Sequence, residues 1–530
     1  MKFIYKLQTI ALIGFLLIVN ACKDFVDINE DPNNPTTPVL DLLLPATQVS
    51  MAGSLRDVNQ GTSILTQHLY IANTSRNFQD GTTYQQSWNG LYTQALNDLE
   101  IIIREGTTQL RWDYVAIAKL QKAYIYSIMV DMWGDIPYTD ASQGNTIENP
   151  AFESGAEIYD KLFALIDEAL ADADKGAFAV LGDVIYKGSK DSWVRMGNSL
   201  KLKLFNQVRL ADPGKAKAGI DALLASGAPL ISTNAQDFSF RFGSTETPAN
   251  RHPWHRTEYL PTKNYYMSQH FIERLFNADD PRLRYYFYRQ TSNYTVGFTP
   301  TGNGYFGRYT GDPTASPNDN SVKATVGVYP AGGLYDNSEI NNLPSTYIFI
   351  PKNEGVKNFK IVGNTDGTGA GVFPLITNAM VKFILAEAAL TLGTAGDAKQ
   401  LFLDGIREQL NSVITVSATS GNSAPPIPVP TLNDFVTARA AEFDAATDPA
   451  AQLNLVMTQK YIALYGNGME AYTDYRRTGL PVLPAPLSPL NAFPLRLAYS
   501  VTELSTNTNV SDRAGELQTA QQTTPVFWDK

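Results

Sequence analysis

Apolar residues recur three and four positions apart along much of the chain, the spacing that gathers them on one face of a helix. Trp88, Leu91, Tyr92, Ala95, Leu96, Leu99, Ile102 and Ile103 form one such stripe. Tyr114, Ile117, Ala118, Tyr124, Ile125, Ile128, Met129 and Met132 form a second, which Gly134 ends and Pro137 keeps from resuming. Ile158 to Leu170 is a third, and Trp193 to Val208 a fourth that stops near Asp212-Pro213-Gly214. Later stripes run from Met380 to Leu392, from Leu401 to Leu410, and through Leu453, Val456 and Ile462. The pattern predicts helices paired as 85–103 with 112–133, 155–173 with 191–211, and 378–392 with 396–411, and a last helical stretch over 449–477. Helix pairs stacked side by side make a solenoid-like scaffold. The spacing is tetratricopeptide-like in shape, without that repeat's strict period of about 34 residues.

Residues 232–375 break the pattern. Helical stripes are short there and Gly, Pro, Asn and Thr cluster. Between 251 and 310 stand 15 aromatic residues in 60, or 25% against 11% for the whole chain. Tyr285-Tyr286-Phe287-Tyr288 and Tyr347-Ile348-Phe349-Ile350 are short apolar runs that read equally as buried strand or buried helical turn. A Ser/Ala/Pro-rich break at Ser417–Pro430 marks a long loop. The expected fold is mainly α: tetratricopeptide-like helical pairs, with an irregular loop-rich half and a few short strands. Helical pairs lie on both sides of the irregular region, so it reads as an elaboration on one scaffold.

The N-terminus has its own pattern. Lys2 and Lys6 precede an apolar run of ten residues, Ile10–Val19. A membrane-spanning helix needs about 20 apolar residues, so the run fits a cleaved export signal. Val19-Asn20-Ala21-Cys22 resembles the lipobox of bacterial lipoproteins, in which the cysteine is acylated and the chain is cut before it; Asn20 departs from the commonest form. Lys23-Asp24 resembles the short charged tag that sends such lipoproteins to the cell surface. The reading is a signal peptide over 1–21, a lipidated leader over 22–40, and one folded domain over 41–530. Asp27, Asn29 and Asp31 imitate the start of an EF-hand loop, but Pro32 and Pro38 stand where that loop needs Gly and Glu, so the leader is a Pro/Asn spacer.

Composition narrows the chemistry. The chain has 42 Lys+Arg, 52 Asp+Glu, a net charge of −10 and one cysteine. Cleavage after residue 21 removes two lysines and takes −10 to −12. An acidic chain without a basic block makes a poor nucleic-acid binder. With Cys22 as anchor, no disulfide and no thiolate metal site is expected. Gly302-Asn303-Gly304-Tyr305-Phe306-Gly307 matches the dinucleotide fingerprint, but turn formers follow where a helix is required. His252, His255 and His270 lack the further ligands of a metal centre. No Gly-x-Ser-x-Gly elbow occurs. Asp167 with Glu168, and Asp279 with Asp280, are the carboxylate pairs a glycosidase reading would use; both read first as helix-face or turn residues. No cofactor is expected.

Several stretches together resemble the SusD/RagB family of outer-membrane nutrient-binding lipoproteins, in the branch with an Asn/Pro-rich leader. They are the lipobox and leader, Val130-Asp131-Met132-Trp133-Gly134-Asp135-Ile136-Pro137-Tyr138, Asp280-Pro281-Arg282-Leu283 and Ala386-Glu387-Ala388. The series continues with Gly466 through Arg476-Arg477-Thr478-Gly479-Leu480-Pro481, then Phe493-Pro494-Leu495-Arg496 and Phe527-Trp528-Asp529-Lys530. Most of these marks read as structural: Gly134 and Pro137 end a helix, and Arg476-Arg477 suit a helix C-terminus and nearby acids such as Glu470 or Asp474. The resemblance implies a non-enzymatic lid on a SusC-type TonB-dependent transporter, catching glycans or, in some branches, peptides. A glycoside hydrolase is the reading from another class. Sugar rings stack on aromatic faces, so the candidate ligand residues are loop aromatics: Trp254, Tyr259, Tyr294, Tyr305, Tyr309 and Tyr335, with Phe78 and Tyr84 ahead of the helix at 85.

Overall fold

The computed structural model describes residues 39–71, 79–259, 265–288, 305, 307–312, 324–332, 367–419, 427–488 and 491–529. It is mainly helical and tetratricopeptide-like. The long helices are α1 (Leu40–Leu65), α2 (Asn97–Thr108), α3 (Trp112–Trp133), α4 (Gly155–Ala173), α5 (Lys190–Gln207) and α6 (Pro213–Ala225), followed by α7 (Asn378–Leu392), α8 (Ala398–Thr419), α9 (Val429–Ala445), α10 (Pro449–Ala463) and α11 (Gly468–Thr478). A short helix (Gln85–Gly90) and a π-helical turn (Leu91–Leu96) lead into α2. α3 packs on α2 and α4, α7 on α8 and α10, and α11 on α1. Side chains of Ser154, Ser189, Asp212, Thr377, Asp448 and Asn467 accept the amide that opens each following helix. Among the described residues no helix is long and apolar enough to cross a membrane.

Three helices escape the apolar pattern, each for a physical reason. α1 precedes the helix at 85, and its buried face mixes Leu44, Met51, Leu55 and Val58 with Thr47, Gln48, Asn59, Thr62 and Ser63. Those polar groups are satisfied inside: the Thr47, Thr62 and Ser63 hydroxyls donate to carbonyls of their own helix, and Asn59 bridges Gly466 and Gly468. At α6, Asp212-Pro213 is a start as well as a stop, with Asp212 as cap and Pro213 in the first turn. α9 buries only Phe435, Val436, Arg439 and Phe443.

In the irregular half, strand Phe238–Arg241 pairs antiparallel with Val372–Ile376 and joins the two ends of the excursion. Tyr285-Tyr286-Phe287-Tyr288 resolves into both readings: Leu283–Tyr286 is a helical turn, and Phe287–Tyr288 is a strand paired with Thr325–Val326. Tyr347–Ile350 lies outside the described residues.

Between the helices lies a buried network of charges. Asp131 on α3 accepts from Tyr159 (2.5 Å), Lys203 (3.0 Å) and the Trp528 indole (2.9 Å). Lys203 on α5 also meets Glu470 at 3.0 Å. Glu387 on α7 accepts from Arg209 (2.8 Å), Asn206 (2.9 Å) and both terminal nitrogens of Arg477. Asp474 accepts from Lys460 and from Arg477 (2.7 Å). Arg476 donates to the backbone oxygens of Asp131 (2.5 Å) and Leu495 (2.7 Å), its guanidinium lying over Tyr472 and Trp528. All these ionic side chains are buried. Burial opposes ionisation of Glu387, yet Arg477, Arg209 and Lys460 hold it well below the usual carboxylate range. Next to the network, Gly134 (φ +87°) turns the chain where a side chain would meet Arg496, which donates to the Trp133 carbonyl at 3.1 Å.

Breaking such a network on one side strands the other. Glu387→Gln should cost about 3–5 kcal/mol, read as a lower denaturant midpoint. Asp444→Asn, which opens the exposed Lys399–Asp444 pair, should cost under about 1 kcal/mol.

Candidate functional site

The aromatic-rich segment folds inward. Tyr286, Tyr329, Phe271 and Phe287 surround Tyr465 of the turn after α10, at ring distances of 4.6, 6.0, 5.7 and 5.3 Å. His68 stacks on Tyr461 at 4.3 Å and meets its carbonyl at 3.0 Å. Trp254 sits between His252 and Tyr465, and Tyr259 stacks on His255 and donates to the Val326 carbonyl at 2.5 Å. Tyr84 packs so closely on Gly61 that a side chain there would clash with its hydroxyl. Trp254, Tyr259, Tyr305 and Tyr84 are 3, 7, 6 and 6% exposed, so their rings offer core packing and no stacking face. That corrects their reading as loop platforms: a dense set of large rings lowers its free energy most by burying itself. Tyr309 is half-buried, donates to Glu273 and leans on His270. Phe78, Tyr294 and Tyr335 lie outside the described residues.

A cavity of about 530 Å³ opens beside Thr310. Its walls come from four places. The end of α1 and the turn after it supply Ile64, Leu65 and Gln67; the segment after Tyr309 supplies Thr310; α11 supplies Tyr475; and the Pro-rich stretch 483–488 with Asn491 and Phe493 supplies the rest. The loop is fastened at several points. Gln67 Nε2 donates to the Pro484 carbonyl (2.9 Å), Leu487 N to the Thr310 carbonyl (2.7 Å), Ser488 Oγ to the Gly311 carbonyl (2.5 Å), and Tyr472 to the Pro494 carbonyl (2.5 Å). Gln67 holds a left-handed backbone (φ +61°), and its side-chain oxygen is buried with no partner. A bulky residue held there is strained, and such strain gathers at functional sites. Tyr475 and Phe493 meet edge to face at 5.2 Å. Among the described lining residues none is charged. The volume lies in the range of small-molecule sites, roughly 300–1,000 Å³.

The other sequence candidates resolve as follows. Asp167 and Glu168 are exposed partners of Lys201 and Lys119. Asp280 is buried against Arg282, which also donates to Gln459 (2.5 Å), while Asp279 turns the chain at φ +49°. His252 caps the helix Pro253–Glu258 by accepting from the Trp254 amide at 3.1 Å. Among the described residues no three His, Cys, Asp or Glu side chains form a metal cluster. Of the dinucleotide look-alike, Gly302 to Gly304 and Phe306 lie outside the described residues; Gly307 donates to the Gln269 side chain at 2.9 Å.

Residues 32–500 match the family model described as "SusD-like_2: Starch-binding associating with outer membrane". The chain belongs to this SusD-like family. Among curated proteins none matches. Similar solved structures include a chitin-binding protein, 20% identical, covering 93% of this chain and 100% of its own, with a TM-score of 0.71. A SusD/RagB family protein from Bacteroides thetaiotaomicron is 19% identical over 93% and 99%, with a TM-score of 0.71. A chitin-binding SusD homolog from Flavobacterium johnsoniae is 19% identical over 92% and 98%, with a TM-score of 0.67. At such identities the likeness shows the fold. In this SusD-like protein, Tyr475 and Phe493 fall inside stretches that carried the family resemblance; the cavity between them is made by tertiary contact and has no signature in the sequence.

The aromatic core sets a pH dependence. Burial lowers His68 to about 3 against a raising bond to the Tyr461 carbonyl, and burial followed by the His255 charge lowers His252 to about 3. Both histidines therefore bind protons more readily unfolded, so their contribution is full above about 6.5 and is lost as pH falls toward 3. The thermal midpoint should drop between pH 7 and pH 5, by the equivalent of about 2 kcal/mol per histidine. His252→Asn, which keeps a capping acceptor, should flatten part of that slope.

Proposed function

We propose that this SusD-like protein is a lipid-anchored outer-membrane protein that captures glycans and delivers them to a SusC-type TonB-dependent transporter. The uncharged, aromatic-edged cavity on a SusD-like scaffold carries the reading. Neutral sugars have apolar faces for Tyr475 and Phe493 and hydroxyls for Thr310, Ser488 and Asn491, and they require no counter-charge. Two solved structures of like fold are named chitin-binding, which makes N-acetylglucosamine oligomers the first ligands to test. Tyr309 precedes the lining residue Thr310 in sequence and stays a candidate for ligand contact. Residues 1–21 act as the signal peptide and Cys22 as the acylated first residue of the mature chain, followed by the leader 22–40. Two or more acyl chains hold a protein on a membrane stably. SusD-like proteins are binding proteins, and the buried carboxylates Asp131, Glu387, Glu470 and Asp474 are each paired with a buried cation, so capture without cleavage is the activity assigned.

Calorimetric titration of the soluble chain with neutral oligosaccharides should give micromolar to millimolar affinity, in keeping with a few stacking contacts set against the cost of association. Phe493→Ala should weaken it by about 1–3 kcal/mol, by analogy with base stacking. Binding of peptides with no response to any oligosaccharide would move the assignment to peptide capture. Sustained release of reducing sugar would replace binding by hydrolysis. Cys22→Ser should leave a folded protein that takes up no fatty-acid label in cells.

A further inference from the structure

The outer side of α1 carries a second apolar stripe that no described residue covers. Val39, Leu42, Ala46 and Val49 recur at three and four positions and are all exposed; Leu42 is 72% exposed. Beside them run Leu181 and Val184, on the loop between α4 and α5, and Leu110, on the turn between α2 and α3; these are 64, 45 and 69% exposed. The three segments form one surface. Gly182 lies against the Asp41 carbonyl and Pro45, close enough that a side chain there would clash with both. Tyr114 donates to Asp41 (2.5 Å) and accepts the Leu181 amide (2.8 Å). Arg111 donates to the Ala179 carbonyl at 3.2 Å.

Two features of this surface cost stability and return nothing inside the fold. Leu110 holds a left-handed backbone (φ +57°) at the position after a helix where glycine normally stands. An exposed leucine there gains no burial in exchange. Large aliphatics on three neighbouring segments are likewise presented to water on a rigid support.

The support says what covers them. Six of the loop's backbone donors are already used. Ala179 N donates to Asp113, Leu181 N to Tyr114, and Val184 N to Gln48, while Ile185, Tyr186 and Gly188 donate to Asp183. The basic groups at the edge are paired as well, Arg111 with Asp113 and Lys175 with Asp172. A protein interface exchanges about one hydrogen bond per 100–200 Å², and these satisfied groups leave few to exchange. Hydrocarbon offers none and tolerates only satisfied polar groups. Trp112, with Lys175 over its ring at 4.3 Å, adds the amphipathic aromatic typical of a membrane interface. The stripe also begins 17 residues after Cys22, a leader that reaches at most about 50–60 Å.

We propose that this surface, Leu42, Val49, Leu110, Leu181 and Val184, seats the protein on the lipid of the membrane that holds its anchor. The inference rests on the anchored reading above, and its test is separable from that reading. The purified mature chain carrying Cys22→Ser has no lipid and should still co-float with phosphatidylethanolamine/phosphatidylglycerol vesicles, with little change between low and high salt. Leu42→Asp with Leu181→Asp should cut the bound fraction more than tenfold. Both side chains point to water, so the thermal midpoint should hold. Leu110→Gly should reduce vesicle binding while keeping or raising that midpoint. A Cys22→Ser chain that stays with the soluble fraction overturns the proposal, as do aspartate variants that float like the parent. Aspartate variants that keep vesicle binding but lose capture by the detergent-solubilised transporter reassign the surface to protein and also overturn it. Absence of fatty-acid label on Cys22 in cells would strike the anchored reading alone.

Discussion

Glu387 is a carboxylate cut off from water and held by cations from three other helical elements: Arg209 just after α5, Lys460 on α10 and Arg477 on α11. Its charge survives because those cations outweigh its burial. Around it buried cations pair with two further carboxylates, Lys203 with Asp131, and Lys460 and Arg477 with Asp474. A buried ion pair is a weak source of stability compared with packed hydrocarbon, but it is intolerant of misplacement. The network therefore acts on which arrangement of helices forms. Early and late helical pairs, separated by the long irregular excursion, have one register in which every charge finds its partner.

That constraint explains which parts of the architecture were legible. Stripes such as Tyr114–Met132 and Met380–Leu392 gave helices α3 and α7 because their faces are almost wholly apolar. α1 stayed hidden because five of its thirteen buried residues are Thr, Ser, Asn or Gln, and Asn59 and Gln48 find their partners on the distant Gly466 and Asp183. The family marks were legible as words and obscure as chemistry. Ala386-Glu387-Ala388, Arg476-Arg477 and Phe527-Trp528 look unrelated along the chain, yet all three meet in the network around Asp131 and Glu387. Pairing of Arg477 with Asp474 was within reach, being three residues apart on one helix; its bond to Glu387, 90 residues away, was not.

The candidate site was legible only in its chemistry. Aromatic density between 251 and 310 pointed to ring stacking, and the rings do stack, but on one another around Tyr465. Exposure is decided by tertiary packing, which a count of aromatics does not contain. The cavity instead gathers ordinary residues from four stretches, and its most telling member, Gln67, differs from the other described glutamines in its left-handed backbone angle.

The position of Trp528 has a consequence for timing. Its indole bonds to Asp131, and Glu470, Asp474, Arg476 and Arg477 all stand in one stretch that follows Asp131, Lys203, Arg209 and Glu387 along the chain. Until that stretch arrives, Asp131, Lys203, Arg209 and Glu387 lack several of the groups that neutralise them, and burying them is unfavourable. The network closes only when the residues near 528 join those near 131.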